Sequence, residues 1–126
     1  MSGVLVDTSV WVDHFRRGNQ GLIYLLEHDR VVVHPMVIGE LACGTPPNRA
    51  QVLVELDSLR HSQQATLKET LDFVESEKLY GIGCGLVDML LLASTMMTRQ
   101  AELWTLDKRL SALADRFGVM HRPTTH

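Results

Sequence analysis

Val4-Leu5-Val6-Asp7-Thr8-Ser9-Val10-Trp11 is the stretch that decides the fold. Three apolar residues run without interruption into an aspartate, and two hydroxyl residues follow it. A run of that kind reads as a strand buried on both faces, the habit of parallel sheets. Asp7, Thr8 or Ser9 is placed to cap the helix that continues through Trp11, Val12 and Phe15. The stretch therefore delivers one carboxylate to the edge of a sheet.

Working outward, the same grammar returns. Val31-Val32-Val33 is a second buried strand. Pro35 suits the first turn of the helix after it, where its missing N–H costs nothing. That helix carries Val37, Ile38 and Leu41, with Glu40 among them. Leu103-Trp104-Thr105-Leu106 is a further strand, followed at once by Asp107 and a helix marked by Leu110, Leu113 and Phe117. Between these units the spacing of apolar residues predicts helices over 22–28, 48–59, 67–79 and 86–98. Residues 61–66 read as loop or short edge strand, and Val119-Met120 as a last short strand. Gly81-Ile82-Gly83-Cys84-Gly85 is the most flexible segment. Strands alternating with helices predict an α/β fold with a parallel sheet covered on both faces.

The chain has 126 residues, the size of one domain spanning 1–126. Apolar residues make up 45% and charged residues 21%, the balance of an ordinary soluble globular protein, and no apolar run approaches the ~20 residues of a membrane span. Met1-Ser2-Gly3 leads straight into the first strand with no basic segment or signal pattern, so a cytoplasmic protein is expected. Cys43 and Cys84 show no zinc-site spacing and are expected to be buried free thiols. The net charge is −3, an unpromising value for a nucleic-acid enzyme. Setting aside Asp7, Glu40, Asp88 and Asp107 leaves +1, and bound divalent cations would make that acidic site attractive to phosphate.

Asp7 and Asp107 share one context, an apolar strand, an acid and a helix start. In open α/β sheets, sites form outside the carboxyl ends of strands, so two such acids can meet there. Each alone serves equally as a helix cap. Glu40 is either drawn into the same site or an exposed residue on the polar side of its helix. Asp88 stands in Gly85-Leu86-Val87-Asp88-Met89-Leu90-Leu91-Leu92-Ala93, otherwise apolar throughout. A helix apolar on all sides is expected to be buried, and an acid within it needs a partner, a metal or the positive end of the helix. Together the four acids suit a hard divalent cation, Mg²⁺ or Mn²⁺. Such an ion activates water for in-line attack on a phosphodiester, leaving 5′-phosphate and 3′-hydroxyl ends. No serine–histidine or activated-cysteine arrangement competes, and His34 reads as a packed or capping residue. Thr8, Ser9 and Thr105 flank the acids, either to hydrogen-bond them or to cap helices.

Asp7-Thr8-Ser9 after the first strand, Glu40-Leu41 after Pro35, Asp88 within Gly85-x-x-Asp88-x-x-Leu91-Leu92-Ala93-Ser94, and Leu103-x-Thr105-x-Asp107-x-x-Leu110 together resemble the PIN-domain ribonucleases. Within them the chain is similar to the VapC-type toxins of toxin–antitoxin pairs. The resemblance covers essentially the whole chain in the right order. It implies a short parallel sheet in a three-layer α/β/α sandwich. It implies that Asp7, Glu40, Asp88 and Asp107 are the acidic quartet that binds magnesium or manganese, with Thr105 as the supporting hydroxyl. It also implies an RNA substrate, a homodimer, and inhibition by a small VapB-type antitoxin through which alone DNA is contacted. Met89 departs from the smaller residue many relatives carry after the third acid; it narrows the pocket wall or simply packs.

Arg16, Arg17, Lys108 and Arg109 follow the first and last acids and are expected either to contact RNA phosphates or to form solvated helix faces. Trp11 is placed to stack on a base or to be buried against a helix. Leu22-Ile23-Tyr24-Leu25-Leu26 is a candidate antitoxin or dimer surface, with core packing as the alternative. A competing function is a phosphoacceptor receiver domain, which shares the length and the strand-end acids. It also needs an acidic pair after the first strand and a late strand-end lysine. Neither is present, since Lys108 follows an acid at a helix start.

Overall fold

Strand β1 (Gly3–Val6) lies in the interior of the sheet, and Val4, Leu5 and Val6 are fully buried. This is a computed structural model, and it describes residues 2–123. Fully burying each such side chain favours folding by roughly 1.5–3 kcal/mol, so this strand anchors the core. The helices α1 (Thr8–Arg17) and α2 (Gln20–Glu27) lead to β2 (Val31–Val33), equally buried. Then come α3 (Pro35–Ala42), α4 (Arg49–Asp57), the two-residue β3 (Arg60–His61), α5 (Leu67–Ser76), α6 (Leu86–Met97), β4 (Ala101–Trp104) and α7 (Lys108–Arg116).

The sheet order is β3-β2-β1-β4, and every pairing is parallel. β1 matches β4 in register from Gly3 opposite Ala101 to Val6 opposite Trp104. The chain thus steps outward from β1 through β2 to β3, then returns across the molecule to place β4 on the other flank of β1. The usual right-handed sense of parallel crossovers places α1 to α4 on one face and α5 to α7 on the other. This agrees with the contacts of α3 with α1 and α4 and of α5 with α6, and with the Phe73–Phe117 ring pair between α5 and the end of α7. The reversal between β1 and β4 is a topological switch point, the place in doubly wound sheets where ligand sites form outside the strand ends. Beyond α7, Met120 forms a parallel bridge with Leu103, flanked by the bonds Leu103 N–H to Val119 O (2.7 Å) and His121 N–H to Leu103 O (2.9 Å). The expected last strand is therefore a single bridge.

Local chemistry explains several boundaries. Gly3 has no room for a side chain, since a Cβ there would lie 2.5 Å from Cγ2 of Val32. His34 caps α3, its Nδ1 accepting from Met36 N–H at 3.0 Å, and Pro35 opens that helix. Thr66 and Glu69 form a reciprocal capping box at the start of α5. The buried hydroxyl of Ser94 accepts from Ala65 N–H at 3.0 Å, tying the loop after β3 to α6.

Some sequence expectations shift. β4 begins and ends two residues earlier than the apolar run 103–106, because Thr105 leaves the ladder to bond side chains and Leu106 is exposed. Residues 60–61 are the edge strand, and the next residues are loop. Helix α6 is not buried all round: Leu86, Met96 and Met97 are exposed. Cys84 is half-buried, but Cys43, expected inside, is exposed, because it is the C-cap of α3 where the chain turns outward. Leu22 and Leu25 belong to the core, so the run 22–26 is chiefly packing rather than free surface.

Candidate active site

Asp7 is the first residue after β1, and its N–H donates to Trp104 O at 2.9 Å. It stands at the N-cap of α1, yet its carboxylate makes no capping bond. Instead Oδ2 accepts two hydroxyls, Ser9 Oγ at 2.8 Å and Thr105 Oγ1 at 2.7 Å. The side chain is buried. A buried carboxylate needs hydrogen bonds to offset its lost hydration. Here they converge on one oxygen, and Oδ1 accepts none among the described residues.

The two hydroxyls are themselves positioned. Ser9 Oγ accepts from Leu106 N–H at 3.0 Å, and Thr105 Oγ1 accepts from Asp107 N–H at 3.0 Å. Thr105 thereby joins the end of β1 to the end of β4. Asp107 is exposed and caps α7, with Oδ1 accepting from Arg109 N–H (2.9 Å) and Leu110 N–H (3.0 Å). For this acid the capping role and a place at the strand edge coexist, since Oδ2 is not used by the cap.

Asp88 enters from α6, in its first turn, and is half-buried. Its Oδ2 accepts from Gly85 N–H at 3.2 Å. Burial raises its pKa above the usual carboxylate value; the Gly85 N–H opposes this, and the charges of Asp7, Asp107 and Glu40 raise it further. The field of all three other acids is thus felt at Asp88. Glu40, exposed on α3, accepts the Thr8 hydroxyl at 2.6 Å. Among the described residues, no three His, Cys, Asp or Glu side chains surround one point closely enough to hold a metal as they stand. Each acid engages a neighbouring donor, and the donor set, carboxylate oxygens alone, is the one a hard divalent cation takes.

The basic residues divide. Arg17 is paired with Asp13 one turn earlier on the exposed side of α1. Arg16 lines a cavity beside Glu40 and Thr8. Lys108 and Arg109 are exposed at the start of α7. The Arg109 side chain lies across Gly83. Trp11 is buried, its ring 6.1 Å from that of Phe15, so it is unavailable to a base.

One neighbour was not anticipated as part of the site. The Cys84 thiol is pushed up by burial and further by Asp88 and Asp107, against the opposing charge of Arg109. It therefore lies within the electrostatic reach of two of the acids. The only hint in the sequence was its place four residues before Asp88, in a glycine-rich turn.

The PIN domain family matches residues 4–116, from the first strand to the end of α7. The chain is 43% identical over 116 residues to Ribonuclease VapC32 of Mycobacterium tuberculosis, in strain CDC 1551 / Oshkosh and in strain ATCC 25618 / H37Rv. The similarity covers 92% of this chain and 94% of each relative.

Proposed function

The chain belongs to the PIN-domain family, and from that premise we propose that it is a metal-dependent endoribonuclease acting as the toxin of a toxin–antitoxin pair. The observation that carries the reading is Asp7. It is a buried carboxylate at the switch point of a parallel sheet, capping nothing, with Ser9 and Thr105 fixing one oxygen and leaving the other to a ligand. Asp7, Glu40, Asp88 and Asp107 are the groups that would hold Mg²⁺ or Mn²⁺. When bound, such an ion supplies an activated water and neutralises charge on the phosphate. Ser9 and Thr105 orient Asp7, and Thr8 orients Glu40. Arg16, Lys108 and Arg109 contact phosphates of the RNA, while Arg17, committed to Asp13, contributes less. The receiver alternative loses its support, since Lys108 projects from the start of α7 and not from a strand end.

The family match along the chain supports a single domain over 1–126. A cytoplasmic location follows from an RNA substrate. No described helix is long and apolar enough to cross a membrane. A homodimer accounts for the exposed apolar side chains of two helices packed on each other, Leu67 and Leu71 on α5 and Leu86 and Met97 on α6. The VapB-type antitoxin suits the apolar cleft of about 290 Å³ between α1, α2 and α4, lined by Leu26, Val52 and Leu59 among others. Any link to DNA runs through that antitoxin.

The test is cleavage of single-stranded RNA by the purified protein in Mn²⁺. The expected result is cleavage with 5′-phosphate ends, abolished reversibly by EDTA and absent in Asp7→Asn. Full activity in EDTA, or in Asp7→Asn, overturns the proposal.

A further inference from the structure

A cavity of about 330 Å³ opens beside Glu40, between α1, α3 and the loop that follows α3. Two of its lining residues, Thr8 and Glu40, are the hydrogen-bonded pair at the rim of the proposed metal site. The remaining wall is largely apolar: Val12, Phe15, Leu41, Pro46 and Pro47. Arg16 adds a positive charge to the wall. The size falls at the lower end of the range for small-ligand pockets, about 300–1,000 Å³.

We propose that this cavity receives one unpaired nucleobase of the RNA, the base adjoining the bond to be cut. The inference rests on the ribonuclease reading above and extends it to substrate selection. Three features choose the occupant. Glu40 lines the cavity and Thr8, the residue after Asp7, lies on its wall, so a group entering it is tethered to a phosphate held at that edge of the site. Its wall offers an aromatic ring, Phe15, backed by the Trp11 ring at 6.1 Å, and two prolines, all flat faces on which a base can lie. Arg16 is placed where the next phosphate along the strand would meet a cation. The antitoxin cleft shares Phe15 and is lined also by Trp11, His14, Leu26, Val52 and Leu59, but none of the four acids lines it, so a base held there is not tied to the phosphate at the acids. A base paired in a duplex cannot enter the cavity, so the substrate is single-stranded or looped RNA.

The experiment uses short single-stranded RNAs cleaved in Mn²⁺, with one abasic nucleotide moved position by position across the cut. Removing the base at one position next to the cut should lower kcat/KM about tenfold, as expected for a lost stacking partner. Thr45 is exposed and lines the cavity, so Thr45→Trp fills it from the surface without disturbing the core. This variant should lose about as much kcat/KM on intact RNA, while the abasic RNA should be cleaved equally by both proteins. Phe15→Leu should fall between, and thermal melting checks that each variant folds. A flat abasic series with active wild-type protein overturns the base assignment and leaves the ribonuclease reading standing. Unchanged cleavage by Thr45→Trp together with weakened antitoxin binding assigns the cavity to the peptide and also overturns it. Absence of cleavage by the wild-type protein removes both readings.

Discussion

The hydroxyl of Thr105 donates a 2.7 Å hydrogen bond to Oδ2 of Asp7 across 98 residues of sequence. Thr105 Oγ1 in turn accepts the N–H of Asp107, so one side chain fixes the buried acid after β1 and the turn that presents the acid after β4. Thr105→Val keeps the shape but removes both bonds. It should lower stability by about 1–3 kcal/mol in urea unfolding. The Mn²⁺ concentration for half-maximal cleavage should rise about 10- to 100-fold, as for other residues that orient metal ligands. Thr105→Ser should recover most of both. A valine variant with unchanged metal dependence would restrict Thr105 to a structural role.

Asp88 carries the clearest electrostatic cost of the site. Burial and the charges of Asp7, Asp107 and Glu40 all disfavour its ionised form, with only the Gly85 N–H helping. Asp88→Asn retains an acceptor for Gly85 and removes the repulsion. In EDTA its Tm should exceed that of the wild type by roughly 2–4 °C, a site residue held at the expense of stability. Saturating Mn²⁺ should reverse the order, because metal stabilises only the protein that binds it well. A variant that melts below the wild type in EDTA would make the carboxylate a structural element.

The strands and their order of appearance were legible because parallel strands buried on both faces leave continuous apolar runs, as at Val4–Val6 and Val31–Val33. The end of β4 was not, since Leu106 continues the run although its side chain points to solvent. The acids were legible as strand-end and helix-start residues, but the two roles cannot be separated by local pattern. Asp7 proves to cap nothing, whereas Asp107 caps α7 and Asp88 engages the N-terminus of α6. That difference is set by Thr105 and Ser9, residues whose reach depends on the pairing of β1 with β4. The field of Asp88 and Asp107 at Cys84, and the cavity behind Thr8 and Glu40, likewise exist only in three dimensions.

Gly83 has φ +90°, and a Cβ there would lie 2.6 Å from Nη1 of Arg109. Two costs of Gly83→Ala can be separated. The flexible Arg109 side chain can swing away cheaply, whereas a positive φ costs an L-residue about 1–2 kcal/mol. Gly83→Ala should therefore destabilise by that amount, and most of the loss should persist in the Arg109→Ala background. If Arg109→Ala abolishes the loss, the contact rather than the backbone sets it.

Leu67 and Leu71 on α5, and Leu86 and Met97 on α6, present apolar stripes to solvent, with Leu71 and Leu86 each 49% exposed. If a second copy covers them, Leu71→Glu should convert a dimer to a monomer in size-exclusion chromatography with light scattering. Its fold should survive, because the side chain is not part of the core. A wild-type protein that is monomeric at high concentration would leave the stripes to another partner.

His34 makes stability depend on pH in a defined direction. Burial, and to a lesser degree the charge of His61, hold its pKa below the ordinary 6.5. Its Nδ1 accepts from Met36 N–H, and its Nε2 is buried without a partner among the described residues, so the folded state resists a second proton. The unfolded chain has no such resistance and takes up the proton first as pH falls. Stability contributed by the neutral ring is therefore complete above about pH 7 and lost progressively below it, down to the folded-state pKa. His34→Asn keeps a good N-cap acceptor and has nothing to titrate. Urea unfolding of the wild type between pH 7.5 and pH 5, at roughly half-unit steps, should show a steeper decline than the variant, the excess being the contribution of this one proton. Parallel declines in the two proteins would place the acid sensitivity elsewhere.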